Sequence, residues 1–175
     1  MIKAIPVQGS CLGIDSFRNS LIVGFKSPTP RVEILSDEGA VLNTSNTSVG
    51  QLFEWPRYIK VDKTAETTRI LVSDWGKKTV YMLDDGLQLL QAFQLQSASS
   101  LWGLAAVGGG QVLVLVVARF TSTLQLLDLT TGQWGKLLGE EEGLCQATSL
   151  VYNQAIKQLY IGCNRNEVKV YTVSE

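Results

Sequence analysis

The chain has 175 residues, of which 45% are hydrophobic and 18% are charged, so it is long and apolar enough to fold around a sizeable core. Its formal net charge of -1 excludes recognition of nucleic acid or anionic membranes through overall charge alone. It contains no histidine, which excludes Ser-His-Asp and Cys-His catalytic sites and the usual zinc sites.

The first residues, Met1 to Val7, lack the long apolar run of a secretory signal, and the apolar run from Val112 to Val117 is too short to span a bilayer. We therefore expect a cytoplasmic protein that does not associate with membranes. The three cysteines, Cys11, Cys145 and Cys163, have no metal-ligand spacing and indicate reduced thiols. Neither a metal ion nor a cofactor is expected.

Apolar segments recur along the chain in four similar units. In each unit an apolar strand is followed by a short polar connection and by a second strand that alternates apolar and polar residues, as Val32–Leu35 does. A further short apolar stretch precedes each pair, and a last strand follows it. The units therefore predict four strands each, over residues 11-48, 56-96, 101-140 and 147-175.

The repeat is most visible in the second, third and fourth units. The segment Leu71–Asp84 aligns without a gap with Leu115–Asp128 after a shift of 44 positions, and a second shift of 44 positions aligns it with Leu159–Thr172. Acidic turns ending in glycine follow the alternating strands, at Asp37–Gly39, Asp84–Gly86 and Asp128–Gly132. We expect these glycines to supply the positive φ that tight hairpins need.

Four strands in a repeat of about 44 residues are the signature of a β-propeller blade. The predicted fold class is all-β, a propeller of about four antiparallel blades. The fourth unit ends after its third strand, and we expect residues 1-8 to form an outer strand that completes it. Two arrangements stay open: a small four-bladed ring, or an arc of a larger propeller completed by other blades or by self-association.

The second unit carries residues that resemble an NHL repeat. They are Tyr58–Asp62, Ile70–Trp75 and Thr79–Gly86, preceded by Pro56. The first unit and the end of the chain resemble the same pattern. At the level of repeats, the resemblance covers nearly the whole chain.

This resemblance points to the carboxy-terminal propeller of tripartite-motif (TRIM) NHL proteins, which resemble ubiquitin ligases with RING and B-box modules upstream. It implies a substrate-recognition role without catalysis in this chain, and it implies six blades as the usual number. Some NHL propellers bind RNA on the loop face. We therefore expect a non-catalytic platform for a protein or peptide, with single-stranded RNA as the other candidate ligand.

The connections from the second to the third strand of each blade are rich in basic residues, and aromatic residues lie near them between the blades. Such a surface suits stacking on bases or contacts with a peptide. The predicted binding residues are Lys26, Arg31, Phe53, Trp55, Lys77, Lys78, Trp102, Arg119 and Arg165.

A purely structural interpretation stays open, in which Trp55 and Trp102 fill gaps between blades and the basic residues form a solvated rim. Glu54 and Glu140–Glu142 lie on the same side and weaken phosphate binding. A protein or peptide ligand therefore fits this mixed surface at least as well as RNA.

The alternative function is a calcium-dependent, lactonase-like propeller enzyme, which needs several carboxylates or amides around one ion. Asp15, Asp62 and Asn153 occupy matching places in three units, but Val107 stands in the fourth. Such recurrence favours turn chemistry over catalysis. Asp74, at the end of a strand, is expected to accept backbone hydrogen bonds in its own turn.

Overall fold

The computed structural model describes residues 4–45, 51–63, 67–97, 99–118, 121–144, 146–164 and 166–173, the side chains of Ala118 and Thr121 excepted. Within these ranges every regular element is a β-strand, and none is a helix that could cross a membrane. The strands form four small antiparallel sheets. The predicted fold class, an all-β propeller fold with four blades, is confirmed.

The chain divides into two compact units, Met1–Gln94 and Leu95–Glu175, each with two blades. In the first unit the strands of each blade pair in chain order. Blade 1 contains β1 Ser10–Phe17, β2 Ser20–Ser27, β3 Arg31–Ser36 and β4 Val41–Thr44. Blade 2 contains β5 Pro56–Lys63, β6 Thr68–Asp74, β7 Thr79–Leu83 and β8 Leu89–Gln94.

The second unit has the same strand order. Blade 3 contains β9 Ser100–Gly108, β10 Gln111–Ala118, β11 Thr121–Asp128 and β12 Trp134–Leu138. Blade 4 contains β13 Ala147–Asn153, β14 Gln158–Cys163 and β15 Glu167–Thr172. Among the described residues its sheet has three strands.

The segment that precedes β1 differs from the expectation. Residues 4–8 form no strand, and residues 1–3 lie outside the described part. The Nη2 atom of Arg31 donates a hydrogen bond to the Gln8 carbonyl, and Ile5 lies so close to Gly39 that an added Cβ there would stand 2.4 Å from its Cγ2. The segment therefore packs on blade 1, and the predicted outer strand over residues 1-8 is not formed by its described residues.

The core of the first unit lies between the facing sides of its two blades. Phe17, Ile22 and Ile34 of blade 1 belong to the same buried cluster as Ile70 and Val72 of blade 2. Because side chains alternate along a strand, these residues all project from one face of each sheet. Their burial fixes the distance between the two blades and so positions the loops at their ends.

The core of the second unit has the same construction. Leu113 and Leu115 of blade 3 share one buried cluster with Leu159 and Ile161 of blade 4. Leu115 and Leu159 therefore project toward each other, although the gapless alignment places them at equivalent positions of two blades. The structure corrects that alignment by one residue, because a shift of one position reverses the face of every side chain in a strand.

The acidic turns follow the prediction at two of three positions. Gly39 and Gly132 have φ values of +89 and +73, in the left-handed region that favours glycine. In the blade 2 turn the positive φ, 62, falls on Leu87 instead of Gly86. The Asp84 carboxylate accepts hydrogen bonds from the N–H groups of Gly86 and Gln88, and this side-chain turn shifts the left-handed residue one position along.

Candidate functional site

A buried carboxylate organises the loops at one end of blade 2. Asp74, the last residue of β6, is 0% exposed. It accepts hydrogen bonds from the backbone N–H of Lys77 at 2.8 Å, of Glu54 at 2.7 Å and of Trp55 at 3.1 Å. The predicted role of Asp74 in its own turn is confirmed, and the same carboxylate also holds the loop that leads into β5. Three donors compensate for the burial of its charge.

Two tryptophans meet where this loop and this turn come together. The rings of Trp55 and Trp75 stack with centroids 4.8 Å apart and an angle of 23° between their planes. The backbone N–H of Trp75 donates to the carbonyl of Trp55 at 2.9 Å, which fixes the two residues relative to each other. Both side chains are half-buried, so the pair has a solvent-accessible edge on a rigid support.

A lysine from blade 1 completes the arrangement. The Nζ atom of Lys26, near the end of β2, lies 3.5 Å from the centroid of the Trp55 ring. An ammonium group over an indole face is attracted by the electron-rich ring. We call Lys26, Trp55, Trp75 and Lys77 the tryptophan cluster.

Charges of both signs border the tryptophan cluster. Lys77 donates its backbone N–H to Asp74 and its Nζ to the carbonyl of Gln51. The Glu54 side chain lies against Gly76, so that a Cβ added there would be 2.6 Å from the Glu54 carboxyl carbon. Ammonium and carboxylate groups therefore both lie close to the aromatic rings.

One polar atom in the tryptophan cluster is unsatisfied. The indole Nε1 of Trp75 is buried and has no hydrogen-bond partner within the described ranges. An unpaired buried donor costs about 1–3 kcal/mol, so such an atom calls for a structural or functional reason.

Two predicted binding residues belong to the fold instead. Phe53 is 1% exposed and packs edge-to-face on Tyr81 with ring centroids 5.2 Å apart, so it cannot contact a partner. Arg31 pairs with Glu33 at 2.6 Å between Nε and Oε1 and lies 4.3 Å from the Phe25 ring centroid. Only 13% of the Arg31 side chain is exposed, and its hydrogen bonds fasten the segment before β1.

The remaining predicted residues are distributed as follows. Trp102 lies within strand β9 and packs against the core of the second unit, in line with its interpretation as a filling residue. Lys78 lies in the turn after β6 with a φ of 53. Arg119 and Arg165 lie outside the described residues.

The structure thus brings together Lys26, Trp55 and Lys77 of the predicted set and adds Trp75. The sequence did contain a signal for Trp75, since this residue begins the basic connection that follows Asp74. Its value as a stacking partner depends on the loop before β5, 20 positions upstream of it, and a pattern of local residues does not show that contact.

Two of the side chains considered for calcium, Asp15 and Asn153, form hydrogen bonds within the fold. The Oδ2 atom of Asp15 accepts a hydrogen bond from the Val61 N–H at 2.8 Å and pairs with Lys60 Nζ at 3.1 Å. Asp15 therefore links β1 to β5, whereas Asn153 accepts the Ala155 N–H inside its own turn. In the part of the chain that the structure describes, no group of three or more acidic, cysteine or histidine residues is arranged to hold a metal ion.

No protein-family model matches this chain, and no curated protein matches it by sequence. Solved structures do share its fold. The computationally designed Ika4 protein aligns with a TM-score of 0.63 and 15% identity over 99% of this chain and 100% of that one. The designed Ika8 protein aligns with a TM-score of 0.60 and 17% identity over 93% of this chain.

A protein of unknown function from Bacteroides caccae aligns with a TM-score of 0.63 and 18% identity over 91% of this chain. The aligned part is 58% of that protein, and for Ika8 it is 45%. At these identities the similarity identifies the fold alone.

Proposed function

We propose that this chain is a non-catalytic binding module that recognises a protein or peptide through the tryptophan cluster. The observation that carries the proposal is the half-exposed Trp55–Trp75 stack with the Lys26 ammonium on its face. Tryptophan is among the residues that contribute most binding energy at protein interfaces, because it buries a large rigid surface and offers one donor. Here the large rigid surface is what supports the proposal, because Trp75 Nε1 is buried.

The charges favour a peptide over a phosphate backbone. Glu54 lies at the tryptophan cluster beside Lys77, so an incoming polyanion meets repulsion as well as attraction. A peptide with neighbouring apolar and charged side chains can complement both signs. The repeat-level resemblance to NHL propellers supports the same role, since in tripartite-motif proteins it implies recognition of a substrate on which other modules act.

Single-stranded RNA is the second candidate, because a half-exposed indole pair beside two lysines can stack on bases. In that case the affinity for RNA would fall steeply as the salt concentration rises, and it would not depend on the base sequence. A peptide ligand predicts weaker dependence on salt and a preferred sequence.

The proposal is tested by selection from a random 12-residue peptide library on the immobilised protein. The affinity of enriched peptides is then measured by fluorescence polarisation. Trp55→Ala is expected to weaken binding about 30-fold, the effect of losing a hot-spot tryptophan worth about 2 kcal/mol. Lys26→Met, which removes a charge and keeps a flexible apolar chain, should weaken it about threefold.

Trp134→Ala is the matched control, since Trp134 is also half-buried but lies at the start of β12, in the second unit. A fluorescent U12 oligonucleotide tests the RNA candidate in the same assay. Peptide binding that survives Trp55→Ala and Lys26→Met, or is lost in Trp134→Ala, would exclude the tryptophan cluster as the site.

A further inference from the structure

The outer face of blade 4 is an apolar sheet surface open to solvent. Val151, Tyr160 and Val170 are direct neighbours across β13, β14 and β15, so they project from the same face. Val151 is 60% exposed, Val168 is 67% exposed and Val170 is 52% exposed. The described positions that share this face carry no charged side chain.

The outer face of blade 1 is apolar and open along β1, whereas Val23 on the same face is buried and Glu33 there pairs with Arg31. Ile14, opposite Val23 on β2, is 63% exposed, and Leu12 is 40% exposed. Beside them runs a groove of about 220 Å³, lined by Ile5 and Val7 of the preceding segment together with residues of β1, β2 and β3. Exposed apolar patches of this kind mark surfaces where proteins associate.

The contacts inside each unit indicate which surfaces fit these two faces. In the first unit, blade 1 buries its other face against blade 2, with β1 beside β5. In the second unit, blade 3 packs on blade 4 in the same way, with β9 beside β13. Blade 1 packs on blade 2 through the face that is equivalent to the open face of blade 4. Blade 2 packs on blade 1 through the face that is equivalent to the open face of blade 1. The two open faces are therefore of the kinds that pack on each other inside a unit.

The similar structures are consistent with further blades beyond these four. The part of Ika8 that aligns with this chain is 45% of that protein, and for the Bacteroides caccae protein it is 58%. The same fold therefore occurs within chains about 1.6 and about 2 times as long. A second copy of this chain would supply blades in the same number.

We propose that two copies of this chain associate head to tail, with the outer face of blade 4 of one copy packed on the outer face of blade 1 of the other. Ile14 and Leu12 then lie against Val151, Val168 and Val170 of the second copy. The contact is heterologous, since each copy contributes a different face. It involves no residue of the tryptophan cluster, so it stands or fails independently of the proposed function.

The test is the solution mass by light scattering coupled to size exclusion. The wild-type chain is expected at twice its mass of 19.1 kDa. Ile14→Glu and Val170→Glu place a charge at the centre of each face, and each variant alone is expected to be monomeric. Both side chains are more than half exposed, so the substitutions leave the core intact, which circular dichroism verifies.

The decisive sample is an equal mixture of the two variants. The Ile14→Glu variant keeps an intact blade 4 face, and the Val170→Glu variant keeps an intact blade 1 face. A head-to-tail contact therefore predicts that the mixture forms a dimer. Leu90→Glu is the control, an exposed leucine of β8 outside both faces, and it should stay dimeric. A monomeric wild-type chain, dimers in both single variants, or a mixture that stays monomeric would each overturn the proposal.

Discussion

Asp74 connects three separate backbone positions through one carboxylate, and the tryptophan cluster depends on it. Its oxygens accept hydrogen bonds from Glu54, Trp55 and Lys77, and its side chain is fully buried. Replacing Asp74 is expected to be destabilising, because each buried N–H group that loses its acceptor stays desolvated without a hydrogen bond.

We expect Asp74→Ala to lower the free energy of unfolding by about 3 kcal/mol or more, since hydrogen bonds to a charged group are worth about 1.5–3 kcal/mol each. Asp85→Ala should cost less than about 1 kcal/mol, because Asp85 forms an exposed ion pair with Arg18 at 3.3 Å. Urea unfolding of both variants measures the difference. Equal unfolding midpoints would show that the Asp74 carboxylate does not hold the loop.

Tyr81 gives the fold a dependence on alkaline pH. Burial raises the pKa of Tyr81 above its ordinary value of 10.0, the nearby Asp74 charge raises it further, and a hydrogen bond with Thr79 acts in the opposite direction. Because the folded pKa is the higher one, the stabilisation is complete below pH 10 and is lost as the pH rises through the folded value. Between pH 9 and 11.5, the free energy of unfolding of the Tyr81→Phe variant should therefore fall less than that of the wild-type protein. Urea unfolding at each pH measures both. Parallel losses in the two proteins would contradict this.

Single residues show how far a sequence can indicate a site. Trp55 and Lys77 were predictable because they lie on connections between strands, and Lys26 because it lies near the end of β2, next to such a connection. The sequence did contain a signal for the ion pair of Arg31, which the prediction did not use. Arg31 and Glu33 are two residues apart on one strand, so their side chains lie on the same face. Phe53 had no such signal, because its burial depends on Tyr81 in another strand.

At the scale of strands, the period of the repeat predicted the blades, while the facing of individual side chains depended on hairpin length. The hairpin between β6 and β7 closes on the pair Asp74 and Thr79, whereas the hairpin between β14 and β15 closes on Cys163 and Glu167. The connection before β15 is one residue shorter, so an alignment that matches β15 with β7 places β14 one residue out of step with β6. A gapless alignment therefore matched the strands but reversed the face of Leu159.

Two glycines set how closely blades 1 and 2 approach. A Cβ added at Gly24 would lie 2.5 Å from the Pro56 carbonyl oxygen, and one at Gly13 would lie 2.7 Å from that of Arg57. The inner strands of the two blades thus approach each other at positions where a side chain does not fit.

Gly24→Ala is expected to destabilise the chain by about 1–3 kcal/mol, the usual cost of overpacking against a rigid backbone. Gly135→Ala is the control, because nothing lies within 4 Å of a Cβ added there and the backbone does not have a positive φ. Thermal unfolding followed by circular dichroism compares the two variants. If Gly24→Ala melts at the temperature of the control, the close approach of the blades does not limit stability.

At the scale of the whole molecule, the sequence predicted the all-β class and the number of blades, because a repeat reports its architecture through its period. It did not predict the course of the segment before β1. Ile5-Pro6-Val7 has the apolar character of a strand, but Ile5 and Val7 line the groove on blade 1 and form no sheet. Arg31 holds the adjoining Gln8 by a hydrogen bond to its carbonyl. Nor does a propeller fold specify a ligand, since the same blades carry unrelated functions.

The four tryptophans of the chain allow a direct test of binding at the tryptophan cluster. Each indole N–H gives one signal in a ¹H–¹⁵N correlation spectrum, and Trp→Phe variants assign them. On titration with an enriched peptide, we expect the signals of Trp55 and Trp75 to shift while those of Trp102 and Trp134 stay in place. Shifts confined to Trp102 or Trp134 would contradict binding at the tryptophan cluster and would place the partner on the second unit.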